Sequence, residues 1–522
     1  MKNIIKTILL SVVVLGMNSC TEEKLLDLSP INNISDKDAF SSPSLIASSM
    51  NGVYNAAAVG QYNAATTSPN GGRGYVWGAA FVEQGDVRGE DVVAIVTFFG
   101  ITYQATSDAT TANNVYYWVD GYRLINRCNL MIEGVNTAVS QGIISSEVGD
   151  DYIGQAKFLR AITHFELLNY FARTYNYTAD ASHFGIPYRE VGVNTQAEID
   201  SETLKPRNTV AECYTKILAD LDDAENLITN TSISKATKNA AIAFKTRVNL
   251  QKRDWANVIT EGNKLNGLRS LTTNPGDVFV LANNLTNTES IFSLQHSTTI
   301  NPGTNGSLGA MYGGRRTVGI SPIIWRDPSW LVDDKRRDAT PLTGMVQNVG
   351  GVMFTNKYKD VVSFTDASPI IRYAEVLLNM AEAQARLATP DLTNALINLN
   401  KVRNRALADP ATQAYTAATL STPALMVNAI LQERRIEFLM EGRRWSDIQR
   451  LEKDDIAPSA GIPAKVAIGT PSADSYTLGT PYTGPRTVLA IPASDFRFLW
   501  PIPQGEINTN PTLRAQQNPG WN

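Results

Sequence analysis

The chain has 522 residues, 43% hydrophobic and 18% charged, a balance that folded globular proteins show and disordered ones do not. Its formal charge is −4, and loss of Lys2 and Lys6 with a leader takes it to −6, which repels phosphate backbones and excludes nucleic acid as a partner. Three cysteines are too few for a disulfide framework, and His164, His183 and His296 show no metal-ligand spacing, so neither a metal nor another cofactor is expected.

Lys2 and Lys6 precede an apolar run at 8–15 that has signal-peptide length and is too short to span a bilayer. Gly16, Asn18 and Ser19 lead into Cys20, and this junction resembles the lipobox of bacterial lipoproteins, although Met17 and Asn18 depart from its strictest form. The resemblance implies that 1–19 is a cleaved leader and that Cys20 becomes the acylated, palmitate-type first residue. Residues 20–34 then form the lipid anchor and an extended tether. Each buried lipid methylene contributes about 0.8 kcal/mol, so two or three chains hold a soluble body on a membrane firmly.

The first helix is predicted after the capping pair Ser35-Asp36, ahead of Phe40, Leu45, Ile46 and Met50. Two irregular excursions follow, at 59–78 and 98–113, each too long for an ordinary connection. Helical periodicity then dominates: Phe158, Ile162, Phe165 and Leu168 mark one stripe, and Val210, Tyr214, Ile217 and Leu221 another. Residues 240–265 read as two helices joined at Lys252-Arg253-Asp254, and 370–406 repeats that shape across Thr389-Pro390-Asp391. Alanines four residues apart, such as Ala381 and Ala385, let paired helices approach closely, as in tetratricopeptide-like repeats. Residues 268–350 read as mostly loop with short strands near 290–295, and ten prolines forbid long helices in 456–522. The expected fold is therefore mainly α, a scaffold of helical hairpins with large irregular insertions. Cys128 and Cys213 fall in helical segments, where two buried thiols are commoner than a bridge, though pairing stays open.

A single helix is predicted over 423–451. It carries Glu433-Arg434-Arg435-Ile436-Glu437-Phe438-Leu439 and Glu441-Gly442-Arg443-Arg444-Trp445-Ser446-Asp447, with local pairs Arg434–Glu437 and Arg443–Asp447. The chain closes on Leu499-Trp500-Pro501-Ile502-Pro503, then Asn510-Pro511 and Gln517-Asn518-Pro519-Gly520-Trp521. Both motifs resemble the SusD/RagB family, lipoproteins that capture nutrients for a TonB-dependent outer-membrane transporter of SusC type. The resemblance implies a SusD-like body over 35–522, with the Pro-rich segment 456–522 packed on the helical scaffold. It also implies an outer-membrane location facing outward and an oligosaccharide ligand. The motif helix itself reads as a structural clasp, and Asp327-Pro328-Ser329-Trp330 with Asp333 to Asp338 resembles another structural stretch of the family.

Sugars present C–H faces that stack on flat rings and hydroxyls that need planar polar partners. The excursions mix these types. Tyr62, Tyr75 and Trp77 lie among Gln61, Asn63, Asn70 and Arg73. Phe98, Phe99 and Tyr103 precede Gln104 and Asp108, and a third excursion at 296–330 offers Tyr312, Arg315, Arg316 and Trp325. The candidate ligand residues are thus Tyr75, Trp77, Phe98, Phe99, Tyr103, Tyr312, Arg315 and Trp325, though for any single ring core packing is the commoner role. Arg315-Arg316 keeps open an acidic ligand such as a uronic acid or a peptide carboxylate, hence a peptide receptor of the same family. Asp86, Glu90 and Asp91 keep open a surface glycoside hydrolase, but catalysis needs two carboxylates opposed across a cleft, so the chain is read as a binder and not an enzyme. An adhesin-like structural role with no soluble ligand is the remaining alternative.

Overall fold

The computed structural model describes residues 36–60 and 72–521; the segments expected to be leader and tether, with Cys20, and Tyr62 lie outside them. One turn, Asp36–Ala39, precedes α1 (Pro43–Val59). The sequence expectation of a helix running on from Ser35-Asp36 is therefore shifted, because Ser42 caps a fresh start and Pro43, lacking an amide hydrogen, fits only a first turn. Then come α2 (Ala79–Val87), α3 (Thr97–Gln104), α4 (Ala112–Ser140) and α5 (Ser146–Phe171). These are followed by α6 (Gln196–Thr203), α7 (Val210–Leu227), α8 (Lys238–Lys252) and α9 (Trp255–Asn263).

Helix α4 packs on α5, α5 on α7, and α7 on α8. The Phe158–Leu168 stripe makes α5 the axis of this half, with Phe158, Ile162 and Phe165 fully enclosed. The α8–α9 hairpin turns at Arg253, whose left-handed φ of 65° closes α8, while the Asp254 side chain caps α9. The second predicted hairpin is α10 (Tyr373–Arg386) with α11 (Leu392–Asn404), capped by Asp391. Helix α10 also packs on α9, so the two hairpins stack as tetratricopeptide-like units do.

The expected loop region holds short strands in two-stranded antiparallel sheets. Strand β1 (Val92–Ala94) pairs with β3 (Val318–Ile320), β2 (Ser290–Leu294) with β6 (Ser368–Arg372), and β4 (Val346–Val349) with β5 (Val352–Thr355). In the Pro-rich tail β7 (Gly461–Ile462) pairs with β8 (Ile491–Pro492), followed by a short helix, α14 (Gln504–Thr509).

The predicted 423–451 helix is broken. It consists of α12 (Pro423–Glu437) and α13 (Arg444–Arg450), separated by a turn in which Met440 and Gly442 take φ of 64° and 73°. The reason is contact with α2: a Cβ built on Gly85 would stand 2.3 Å from the Gly442 carbonyl oxygen, so the turn lies directly on that helix. Left-handed backbone suits glycine there, and a continuous helix does not fit. The cysteines Cys128 and Cys213 are free and buried.

Candidate functional site

The hallmark segment builds a buried ionic hub. Glu437 accepts from Arg336 at 2.9 Å, Arg372 at 2.7 Å and Arg405 at 2.6 Å, and Glu433 binds Arg336 at 2.6 Å and Arg403 at 3.0 Å. Asp447 holds Arg434 and Arg450, and Arg450 continues to Glu382 of α10. Arg443 reaches Glu166 of α5 at 3.1 Å. The helix-local pairs Arg434–Glu437 and Arg443–Asp447 expected from spacing do not form among these bonds; Arg434 goes to Asp447, Arg443 to Glu166 and Glu437 to three arginines outside its helix, while Asp447 keeps a local partner in Arg450, so each enclosed ion is paired. Against burial, which raises its pKa, Arg405, Arg372 and Arg336 hold the Glu437 carboxyl far below its usual range. Arg336 binds Asp334 as well, so the 327–338 stretch is part of the hub. The clasp reaches the tail through rings: Trp445 lies 5.1 Å from Phe498, and Trp500 stacks on Tyr170 at 4.4 Å.

The acidic cluster on and after α2 belongs to this hub and not to an open cleft. Asp91 bonds Arg435, and Glu90 accepts from Arg444 at 2.8 Å. Burial raises the pKa of Glu90, but Arg444 and Arg435 outweigh it and keep the carboxylate ionised. Asp86 accepts the Tyr312 hydroxyl at 2.6 Å and the Gly442 amide at 2.9 Å, and burial pushes its pKa up to about 7 despite them. One turn earlier, Glu83 accepts the Thr317 hydroxyl, and burial pushes it up to about 8. Helix α2 is thus a strut with the hallmark turn on one side and the third excursion on the other.

Six of the eight candidate ligand residues, Tyr75, Trp77, Phe99, Tyr103, Tyr312 and Trp325, are buried. Their rings stitch the excursions to the core and present no face outward. Trp77 packs on Phe81 at 4.7 Å, and its carbonyl accepts the Ser368 hydroxyl. Tyr103 donates to the Val466 carbonyl at 2.8 Å, and the Trp325 indole donates to the Tyr476 carbonyl at 3.1 Å beneath the Arg337 guanidinium. The cause is general: a large ring contributes most when enclosed, and Tyr103, Trp325 and Tyr312 also find partners for their polar edges.

The remaining two lie at a seam where all three excursions meet. Phe98, half-buried, carries the Arg73 guanidinium 4.9 Å from its ring centre. Arg315 is exposed and donates to the Asn305 side chain at 2.6 Å. Gly306 joins the parts: its carbonyl accepts the Ala79 amide at 3.0 Å, and a Cβ on it would stand 2.8 Å from the Gly72 oxygen, so only glycine allows the approach. Beneath, the β1–β3 pair and the Ile95 amide bonded to the Thr317 carbonyl fix the third excursion against the strand that leads into the second. The seam therefore offers a half-exposed ring, two guanidinium groups and an amide on a rigid floor, types suited to a polar ring-shaped ligand. Asn305 and Gly306 were not among the sequence candidates; the glycine-rich, asparagine-rich run 301–309 was their only signal.

Two family models match this chain: the SusD family over residues 333–521, and "starch-binding associating with outer membrane" over 24–250. The chain belongs to the SusD/RagB family. A crystal structure of a SusD superfamily protein from Bacteroides fragilis is 28% identical, covers 91% of this chain and 99% of its own length, and superposes with a TM-score of 0.71. A SusD-like carbohydrate binding protein from Bacteroides vulgatus, 19% identical, shares the fold over 90% of this chain and 97% of its own, with a TM-score of 0.68. SusD-like protein P2 of Formosa agariphila is 24% identical over 455 residues, 78% of this chain and 80% of its own. The hub residues named above lie within the two matched regions, whereas the seam is divided: Arg73 and Phe98 fall within 24–250, but Asn305 and Arg315 fall in 251–332, between the two.

Proposed function

We propose that this SusD/RagB protein captures an oligosaccharide at the seam and hands it to a TonB-dependent outer-membrane transporter. In this reading 1–19 is a leader, acylated Cys20 and 20–34 anchor and tether the chain to the outer membrane facing outward, and 35–522 is the ligand-binding body. The single observation that carries it is the close approach of the Gly306 backbone to Gly72 and Arg73, which brings Asn305, bonded to Arg315, beside Arg73, which lies over Phe98. The family description and the carbohydrate-binding name of the Bacteroides vulgatus neighbour agree with it. Phe98 supplies the stacking edge, the amide and guanidinium groups take hydroxyls, and the transporter supplies the energy for uptake.

Turnover finds no support: Asp86 and Glu90, the hydrolase candidates, are enclosed and bonded to Tyr312, Gly442 and Arg444. Incubation with candidate glycans should release no new reducing ends. Arg315 and Arg316 both hold amide oxygens, those of Asn305 and Gln347, so those contacts leave their charge unneutralised. That favours a ligand bearing a carboxylate, a uronic-acid sugar first and a peptide carboxylate second.

Calorimetric titration with neutral oligosaccharides, uronic-acid-containing oligosaccharides and an acidic peptide separates these readings. Binding of one saccharide class, weakened about tenfold in Phe98→Ala, equivalent to about 1.4 kcal/mol, is expected. Absence of any saccharide binding, or binding indifferent to Phe98→Ala and Arg315→Ala together, contradicts the proposal.

A further inference from the structure

Away from the seam, a cleft of about 310 Å³ opens between α4, the 187–193 loop, α6 and α14. Its size is at the small end of ligand pockets, which span about 300–1,000 Å³. The cleft is held rigid before any ligand arrives. Asn126 exchanges two hydrogen bonds with Val193, at 3.0 and 2.8 Å, and Asn129 donates to the Arg189 and Val191 carbonyls. On the far side the Asn510 side chain ties the end of α14 to the Lys205 carbonyl.

Two polar groups converge at its floor. The Trp118 indole is 1% exposed and its Nε1–H makes no full hydrogen bond. It faces the Glu506 carboxylate in a contact too poorly aligned to count as a full hydrogen bond, and burial raises the Glu506 pKa in spite of Arg189 and that weak bond. Arg189 is itself fixed by Glu202 at 3.0 Å. A buried donor so weakly paired costs free energy that a suitable ligand atom recovers. A hydroxyl is such an atom, since it can accept from the indole and donate to the carboxylate at once. Around this pair the wall mixes polar groups with the apolar Ile125, Pro187 and Val193, and two further apolar residues, Val191 and Ile199, are 36% and 45% exposed, a surface suited to the C–H face of a ring.

We infer that this cleft is a second saccharide site, taking one sugar unit or a chain end with a ring hydroxyl bridging Trp118 and Glu506. It rests on the preceding proposal only for the class of ligand and shares none of the seam's residues. Such a site lets a polymer be held at two places, which raises avidity without new contacts at the seam.

The test is saturation-transfer NMR of the protein with glucose, galactose, mannose and xylose, each alone. It is done in the Phe98→Ala background, in which seam binding is about tenfold weaker, and then with Ile199→Trp or Thr509→Trp added; these fill the cleft from opposite walls at exposed positions. At least one sugar should give signal in Phe98→Ala, falling about tenfold in both cleft variants, with unchanged melting temperatures. No signal from any of the four sugars in Phe98→Ala overturns the cleft while leaving the seam to its own titration, and so does a signal that survives both cleft variants. A crystal soaked with the responding sugar should show a hydroxyl between Trp118 Nε1 and Glu506; the sugar lying elsewhere also overturns it.

Discussion

The hub and the seam sit on opposite sides of α2 and are built on opposite principles. In the hub, Glu437 alone binds three arginines, and Asp447, Glu433 and Glu382 bind two each, all of them enclosed. In the seam, one guanidinium lies over one half-buried ring and another holds one amide. Matched buried ions specify a single arrangement at high cost if disturbed, whereas exposed polar groups such as Arg315 keep hydrogen-bonding capacity for a ligand. The strut between them, with Asp86 touching both sides, transmits the rigidity of the first to the second.

The sharpest way to break this contrast is at Glu437. Glu437→Ala leaves three enclosed guanidinium groups without their shared partner and should destabilise by roughly 3–5 kcal/mol or prevent folding, read by chemical denaturation. Trp77→Ala should follow at about 3 kcal/mol. Its melting temperature should fall markedly, because the ring is packed on Phe81 and not on ligand; a variant that keeps its stability and loses only binding would place Trp77 at the seam surface instead.

A smaller effect is expected from pH. Glu83 and Asp86 have folded-state pKa values raised by burial, from 4.5 to about 8 and from 3.8 to about 7. Below the lower values both states are protonated and the contribution is complete; it is lost as pH rises through the upper ones. Wild-type melting temperature should therefore decline over that window, and Glu83→Gln should flatten the decline. An unchanged slope would show that Glu83 is ionised in the folded protein. Least of all, Phe98→Ala should change stability by under about 1 kcal/mol, while binding falls; a large loss of stability would mark Phe98 as a core residue like Phe99.

The helical scaffold was readable because its signals are local. Alanine spacing, the Asp254 and Asp391 caps and the apolar stripe of α5 each act within a few residues. The lipobox-like junction at Cys20 is equally local but lies outside the described residues. The break in the 423–451 helix was not readable, since its cause is Gly85, some 350 residues earlier in the chain. Helix α2 was missed for a related reason: every residue in it is buried, so it has no polar face to reveal a period. The ligand side chains were hardest. Composition marked the excursions rich in rings and amides, but whether a ring faces inward depends on distant groups such as the Val466 carbonyl for Tyr103 and Asp86 for Tyr312.

The central claim is that the three excursions grip the ligand together on the strut. Amide hydrogen exchange, measured with and without a saturating oligosaccharide identified by titration, tests it most directly. Protection should rise in 72–81, 95–104 and 303–317 at once, with the hub segment 433–450 unaltered. Protection that appears in 433–450, or in none of the three excursions while the ligand is demonstrably bound, contradicts the account.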